Sequence, residues 1–191
     1  MKRMFVIGGV AALLVVIGSR VEASSFSLTP QDTTCTTNVN SNLSGSALLN
    51  VLQGCGLTSS DDPLTLLYKA NVADPVTESG SFSSSYSTVF MNTSLDPQDA
   101  TISYVGGPYM GCAACYLVVK DGNHSPAQYF FSLAGWNGTD SIVLTDFWPK
   151  GGAISNVAIW GNATPVPEPA TLLLLGTGLG LAALKRRQRR A

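Results

Sequence analysis

The chain has 191 residues, 45% of them apolar and only 12% charged, with eleven basic side chains against twelve acidic ones. Ordinary globular domains carry about 25% charge, so this composition excludes a charge-rich disordered chain, a coiled coil and a basic nucleic-acid binder. The charges are also segregated. Lys2, Arg3 and Arg20 lie near the start and Lys185, Arg186, Arg187, Arg189 and Arg190 at the end, whereas three lysines face ten carboxylates between Ser24 and Thr164. That body carries −7 inside a chain whose net charge is −1.

Residues 1–23 open with the basic pair Lys2-Arg3, continue through an uncharged apolar run from Met4 to Ile17, and end on Val21-Glu22-Ala23. Small side chains at Val21 and Ala23, just before Ser24, predict a secretory signal peptide cut between Ala23 and Ser24. The run is too short between its charges for a relaxed transmembrane span.

The body, 24–164, is long enough for one core. Its first part, to about Gly56, is rich in Ser, Thr and Asn, with Ala47–Leu52 the one candidate for a short helix. From there the pattern is β. Short apolar or alternating runs cover Leu64–Tyr68, Tyr86–Met91, Ala100–Val105, Tyr116–Lys120, Gln128–Leu133, Ser141–Phe147 and Ile154–Trp160. Turn signals such as Asp74-Pro75, Gly106-Gly107-Pro108, Asp121-Gly122-Asn123, Asn137-Gly138 and Gly151-Gly152 separate them. Short strands at this spacing predict an all-β domain, an antiparallel β-sandwich or jelly roll.

Four cysteines, Cys35, Cys55, Cys112 and Cys115, allow three pairings in an exported body. We favour Cys35–Cys55 with Cys112–Cys115, and crossed pairing stays open. The Cys112-Ala113-Ala114-Cys115 spacing matches redox motifs, but a thiol activated in that way needs a helix N-terminus, and a strand follows here. Structural disulfides are the expectation.

Catalytic candidates are few. The single histidine, His124, sits in the 121–125 turn; no metal-type cluster and no GxSxG nucleophile motif is present. The carboxylate groups Asp61-Asp62, Asp96/Asp99 and Asp140/Asp146 fall in or beside turns, where Asp is favoured for backbone reasons. No cofactor and no metal is expected. Trp136 and Trp148 lie at strand ends beside turns, where an exposed indole could stack on a sugar ring, although tryptophan more often belongs to a core. Five Asn-x-Ser/Thr sequences, at Asn42, Asn92, Asn123, Asn137 and Asn162, follow from the abundance of those residue types.

The tail reads VPEPATLLLLGTGLGLAALKRRQRRA. Three prolines, Pro165, Pro167 and Pro169, interrupt regular structure before an apolar run over 170–184 and a basic cluster over 185–190. Fifteen apolar residues make a helix of roughly 22 Å at 1.5 Å per residue, shorter than a relaxed span. Basic residues held on the cytoplasmic side would leave the body outside. The spacing of Gly176 and Gly180 suits helix contacts, and the glycine-rich run has no preceding strand to make it a nucleotide loop.

Pro167-Glu168-Pro169, the Leu-rich run and the Arg-rich end together resemble the PEP-CTERM sorting domain. The segment from CYLVVKDGNH through GWNGTD to GAISNVAIWG also resembles the closing part of many ectodomains that carry such tails. The resemblance implies an exported protein of a Gram-negative bacterium, recognised at Pro167, Glu168 and Pro169 by an exosortase, a membrane-embedded cysteine protease or transpeptidase. It divides the chain into a signal peptide (1–23), a β-sandwich ectodomain (24–164) and a sorting signal (165–191) with a transmembrane helix at 170–184. The expected function is non-enzymatic, that of a cell-surface or matrix protein. The alternatives are a carbohydrate-binding module acting on exopolysaccharide and, more distantly, a secreted hydrolase.

Overall fold

The computed structural model describes residues 24–92, 96–167, 176–178 and 185–186. The expected signal peptide, including Ala23, lies outside the described residues, and so do Glu168 and Pro169. Of the expected membrane helix only 176–178 are described, and these are helical. Among the described residues no helix is long and apolar enough to cross a membrane.

Among the described residues ten strands form two sheets. They are β1 (Ser25–Leu28), β2 (Thr36–Thr37), β3 (Thr65–Asn71), β4 (Thr77–Ser79), β5 (Tyr86–Met91), β6 (Asp99–Tyr104), β7 (Tyr109–Asp121), β8 (Gln128–Ser132), β9 (Ser141–Leu144) and β10 (Ile154–Val166). One sheet has the order β1-β9-β6-β5 and the other β2-β8-β7-β10-β3-β4. Alternation places Tyr86, Ala100, Ile102, Ile142 and Leu144 of the first sheet against Leu117, Val119, Phe131, Val157 and Ile159 of the second, in one shared core. The fold is all-β, as the pattern predicted, with one departure. β1 runs parallel to β9, pairing Ser25 with Ser141 and Leu28 with Leu144, while the other pairs are antiparallel. A parallel pair needs a long crossover, and here nearly the whole domain intervenes between the two strands.

The helix α1 (Gly45–Gly54) contains the expected Ala47–Leu52 segment. Leu48 and Leu52, four apart and therefore on one face, are fully buried on the outer side of the larger sheet, in a second cluster with Tyr116, Val118 and Phe130. Burying each leucine stabilises the domain by roughly 1.5–3 kcal/mol. Cys55 caps the helix and is bonded to Cys35, so the polar N-terminal segment is held to the sheet covalently as well as by this small apolar face.

The domain has two dissimilar poles. At one, β10 ends and β1 begins; there the turns 83–85, 105–108 and 134–140 contain one carboxylate, Asp140, and no lysine, and the loop that leads into β3 at the same end adds Asp61 and Asp62. At the other, the strand ends and turns carry Asp74, Asp96, Asp99, Asp121 and Asp146 together with Lys150.

Candidate functional site

Pro167, the first residue of the expected sorting motif, follows the sheet without a linker. β10 is a central strand as far as Gly161, paired with Cys115 of β7 on one side and Thr65 of β3 on the other. Beyond that point β3 has ended, and β10 continues on β7 alone through Ala163↔Cys112, Thr164↔Gly111, Pro165↔Met110 and Val166↔Tyr109. An open side is where a strand tolerates proline, which cannot donate to a ladder. Proline also biases the residue before it toward extended backbone, so Pro165 and Pro167 act on Thr164 and Val166 to keep β10 extended up to the motif. Pairing therefore runs two residues past the expected domain boundary at Thr164, and Pro167 follows directly as an exposed residue.

The second disulfide braces this junction. Cys112 and Cys115 are bonded to each other, across a bulge in which exposed Ala113 and Ala114 loop out of β7. The register of β10 shifts at the same place, between Gly161 and Ala163. A Cβ at Gly161 would stand 2.9 Å from Cys115 Sγ and closer still to Ala114 O, so the bulge requires glycine opposite it. Both disulfides are the pairs favoured from the sequence. The Cys112–Cys115 pair lies within a strand, without the helix N-terminus that activates a redox thiol.

Tyr86 anchors the junction from the other sheet. Its side chain is 1% exposed; its hydroxyl donates to Gly138 O at 2.6 Å and accepts from Met110 N at 2.9 Å. Burial pushes the phenol up to about 12, against the smaller opposing effect of the Met110 N–H. Gly138, at φ +83°, lies so close to Met110 O that a side chain there would collide with it. Tyr68, Tyr86, Tyr104 and Tyr109 form a chain of edge-on or tilted rings, with centroids 5.9, 5.7 and 6.2 Å apart. Sequence reasoning missed the tyrosine–glycine contact. Its traces were the inward register of Tyr86 in an alternating run and the Asn137-Gly138 turn.

The other candidate residues lie elsewhere. Trp136 and Trp148 are 5% and 6% exposed, and their indole N–H groups donate to Asp140 O and Pro126 O, each at 2.8 Å. Both belong to the core, and neither presents an open ring face for stacking. His124 is half exposed and lies 3.1 Å from Asp121 at the edge of an open depression of about 410 Å³ at the acid-rich pole. Asp121 accepts hydrogen bonds from Asn123 N and Ala153 N; its carboxylate holds two loops together. Asp99 accepts from Asp146 N and Asn92 Nδ2, and Asp61 from Gln53 Nε2. Among the described residues no group of three or more His, Cys, Asp or Glu side chains is placed to hold a metal ion. Ser24, the expected mature N-terminus, is exposed immediately before β1.

The family model of the PEP-CTERM protein-sorting motif matches residues 165–190. The chain thus carries, from the last two paired residues of β10 onward, the signal of an exported protein sorted by an exosortase. No curated protein and no solved structure matches the chain.

Proposed function

We propose that this chain is a non-enzymatic surface or matrix protein of a Gram-negative envelope, delivered by its two ends and functional as its β-domain. Residues 1–23 direct export and are removed at Ala23. Residues 170–184 then halt in the inner membrane, with the basic 185–190 cluster on the cytoplasmic side, and hold Pro167-Glu168-Pro169 at the outer membrane–water boundary for the exosortase. The observation that carries this reading is the matched motif continuing β10 without a linker. The prolines present an extended backbone, the form a protease cleft accommodates. The two disulfides suit an oxidising compartment, and the Asp99 and Asp121 carboxylates are used to organise turns.

Replacing Pro167, Glu168 and Pro169 together by alanine tests the proposal in the native host. The expected result is an unprocessed chain retained in the membrane fraction, with the β-domain still folded and disulfide-bonded. Processing and distribution unchanged from the parent chain would refute it.

A further inference from the structure

β1 begins and β10 ends at the same pole. Val166 pairs with Tyr109 at one end of the larger sheet. Ser25, the second residue of the expected mature chain, pairs with Ser141 at the corresponding end of the smaller sheet. Ser141 follows the 134–140 turn, whose Gly138 is held by Tyr86 and packs on Met110, the partner of Pro165. Between Val166 and the start of the apolar run at Ala170 stand only the three motif residues. Fully extended, the four steps from Val166 to Ala170 reach at most about 14 Å.

The surface at that pole has a matching character. The 105–108 turn between β6 and β7 lies beside Val166 and exposes Val105, 62% accessible, and Pro108. It is flanked by half-buried Tyr104 and Tyr109, packed edge to face. Tyrosine is favoured at membrane–water boundaries because its ring is apolar and its hydroxyl wet. Five carboxylates are gathered at the opposite pole, and the 105–108 turn at this one has none, the nearest in the chain being Asp99 and Asp121 on the far ends of the flanking strands. Asp61-Asp62 and Asp140 lie in neighbouring loops at this end. The short apolar run adds a pull: at roughly 22 Å it underfills a hydrocarbon core of about 30 Å, which draws its flanks toward the bilayer.

We infer that this pole, with Val105, Pro108 and Tyr109 at its tip, is a lipid-docking surface that rests in the headgroup interface while the tail is inserted. The inference rests on the membrane insertion of the tail proposed above. It adds that the domain stands upright on the bilayer, so that an exosortase must reach the motif in the plane of the membrane. Ser24 and the motif would both be presented at that plane.

The test uses the full chain reconstituted into vesicles of phosphatidylethanolamine and phosphatidylglycerol containing brominated acyl chains. Three single substitutions report position by tryptophan quenching, each read against the unsubstituted chain. Leu174→Trp reports the tail. Val105→Trp reports the pole, and Val89→Trp, at an equally exposed site on β5 (61%), reports the flank of the domain. The expected result is strong lipid quenching for Leu174→Trp and measurable lipid quenching for Val105→Trp, with aqueous iodide quenching of Val105→Trp reduced severalfold relative to Val89→Trp. If Leu174→Trp is quenched by lipid while Val105→Trp and Val89→Trp respond alike, the upright docking is overturned and tail insertion stands. If Leu174→Trp is not quenched, tail insertion fails and the docking surface fails with it.

Discussion

Tyr86→Phe removes one oxygen atom from the point where the two sheets and the tail junction meet. That hydroxyl donates to Gly138 O and accepts the Met110 N–H, and Tyr86, Gly138 and Met110 are all buried. Met110 faces Pro165, which has no N–H of its own to offer. Losing the two bonds costs about 1 kcal/mol each, and leaving a buried N–H without a partner adds about 1–3 kcal/mol. A destabilisation of about 3–5 kcal/mol is therefore expected, a large share of the roughly 5–15 kcal/mol that holds an ordinary domain together. Urea unfolding of the disulfide-intact protein measures it at neutral pH. The pH dependence provides a second readout. Tyr86 ionises at about 12 in the folded state against 10 when exposed, so its contribution is complete below pH 10 and is lost as pH rises through 12. That loss is on the order of 2–3 kcal/mol, and it should disappear from the profile of Tyr86→Phe. Tyr68, also raised by burial, keeps its own alkaline component in both proteins. A stability change under about 0.5 kcal/mol, the range of a bland surface substitution, would refute the assigned role of the hydroxyl. So would parent and variant alkaline profiles that superimpose.

Two further substitutions probe other parts of the framework. Replacing Cys35 and Cys55 together by serine opens the loop that pins α1, costing roughly 3 kcal/mol by the chain-entropy estimate; opening the much smaller Cys112–Cys115 loop with the same change costs roughly 2 kcal/mol. Chemical denaturation of the two double variants should rank them in that order. At the edge strand β5, Glu78 Oε1 accepts both Thr88 N at 2.8 Å and Tyr68 OH at 2.7 Å. Glu78→Ala uncaps that edge and should cost about 1–3 kcal/mol, with faster hydrogen exchange at the Thr88 amide, whereas Glu78→Gln keeps an acceptor and should recover part of the loss.

Strands whose side chains alternate against a core were legible before any coordinates. β5 spans Tyr86–Met91, the run expected from its pattern, and β8 begins at Gln128 as expected. What escaped detection were segments ordered by their neighbours. β1, β2 and β4 are two to four residues long and mostly Ser and Thr, and such strands have little local signal. The first half of β7 is interrupted by Gly111 and the cysteine bulge, and the last part of β10 by Asn162 and Pro165; each becomes a strand by pairing with the other. The candidate site divided in the same way. The motif was readable as a string of residues, but its continuity with a central strand depended on partners some fifty positions away. The placement of Trp136 and Trp148 in the core depended on hydrogen bonds to Asp140 and Pro126 that composition could not disclose.

Release of the body from an address at each end, as proposed, is read out by the intact mass of the protein recovered from its native host. The expected species begins at Ser24, ends at or near Pro167, and has both disulfides closed. A mass that retains the tail through Ala191, or one that retains the leader, would contradict the proposal.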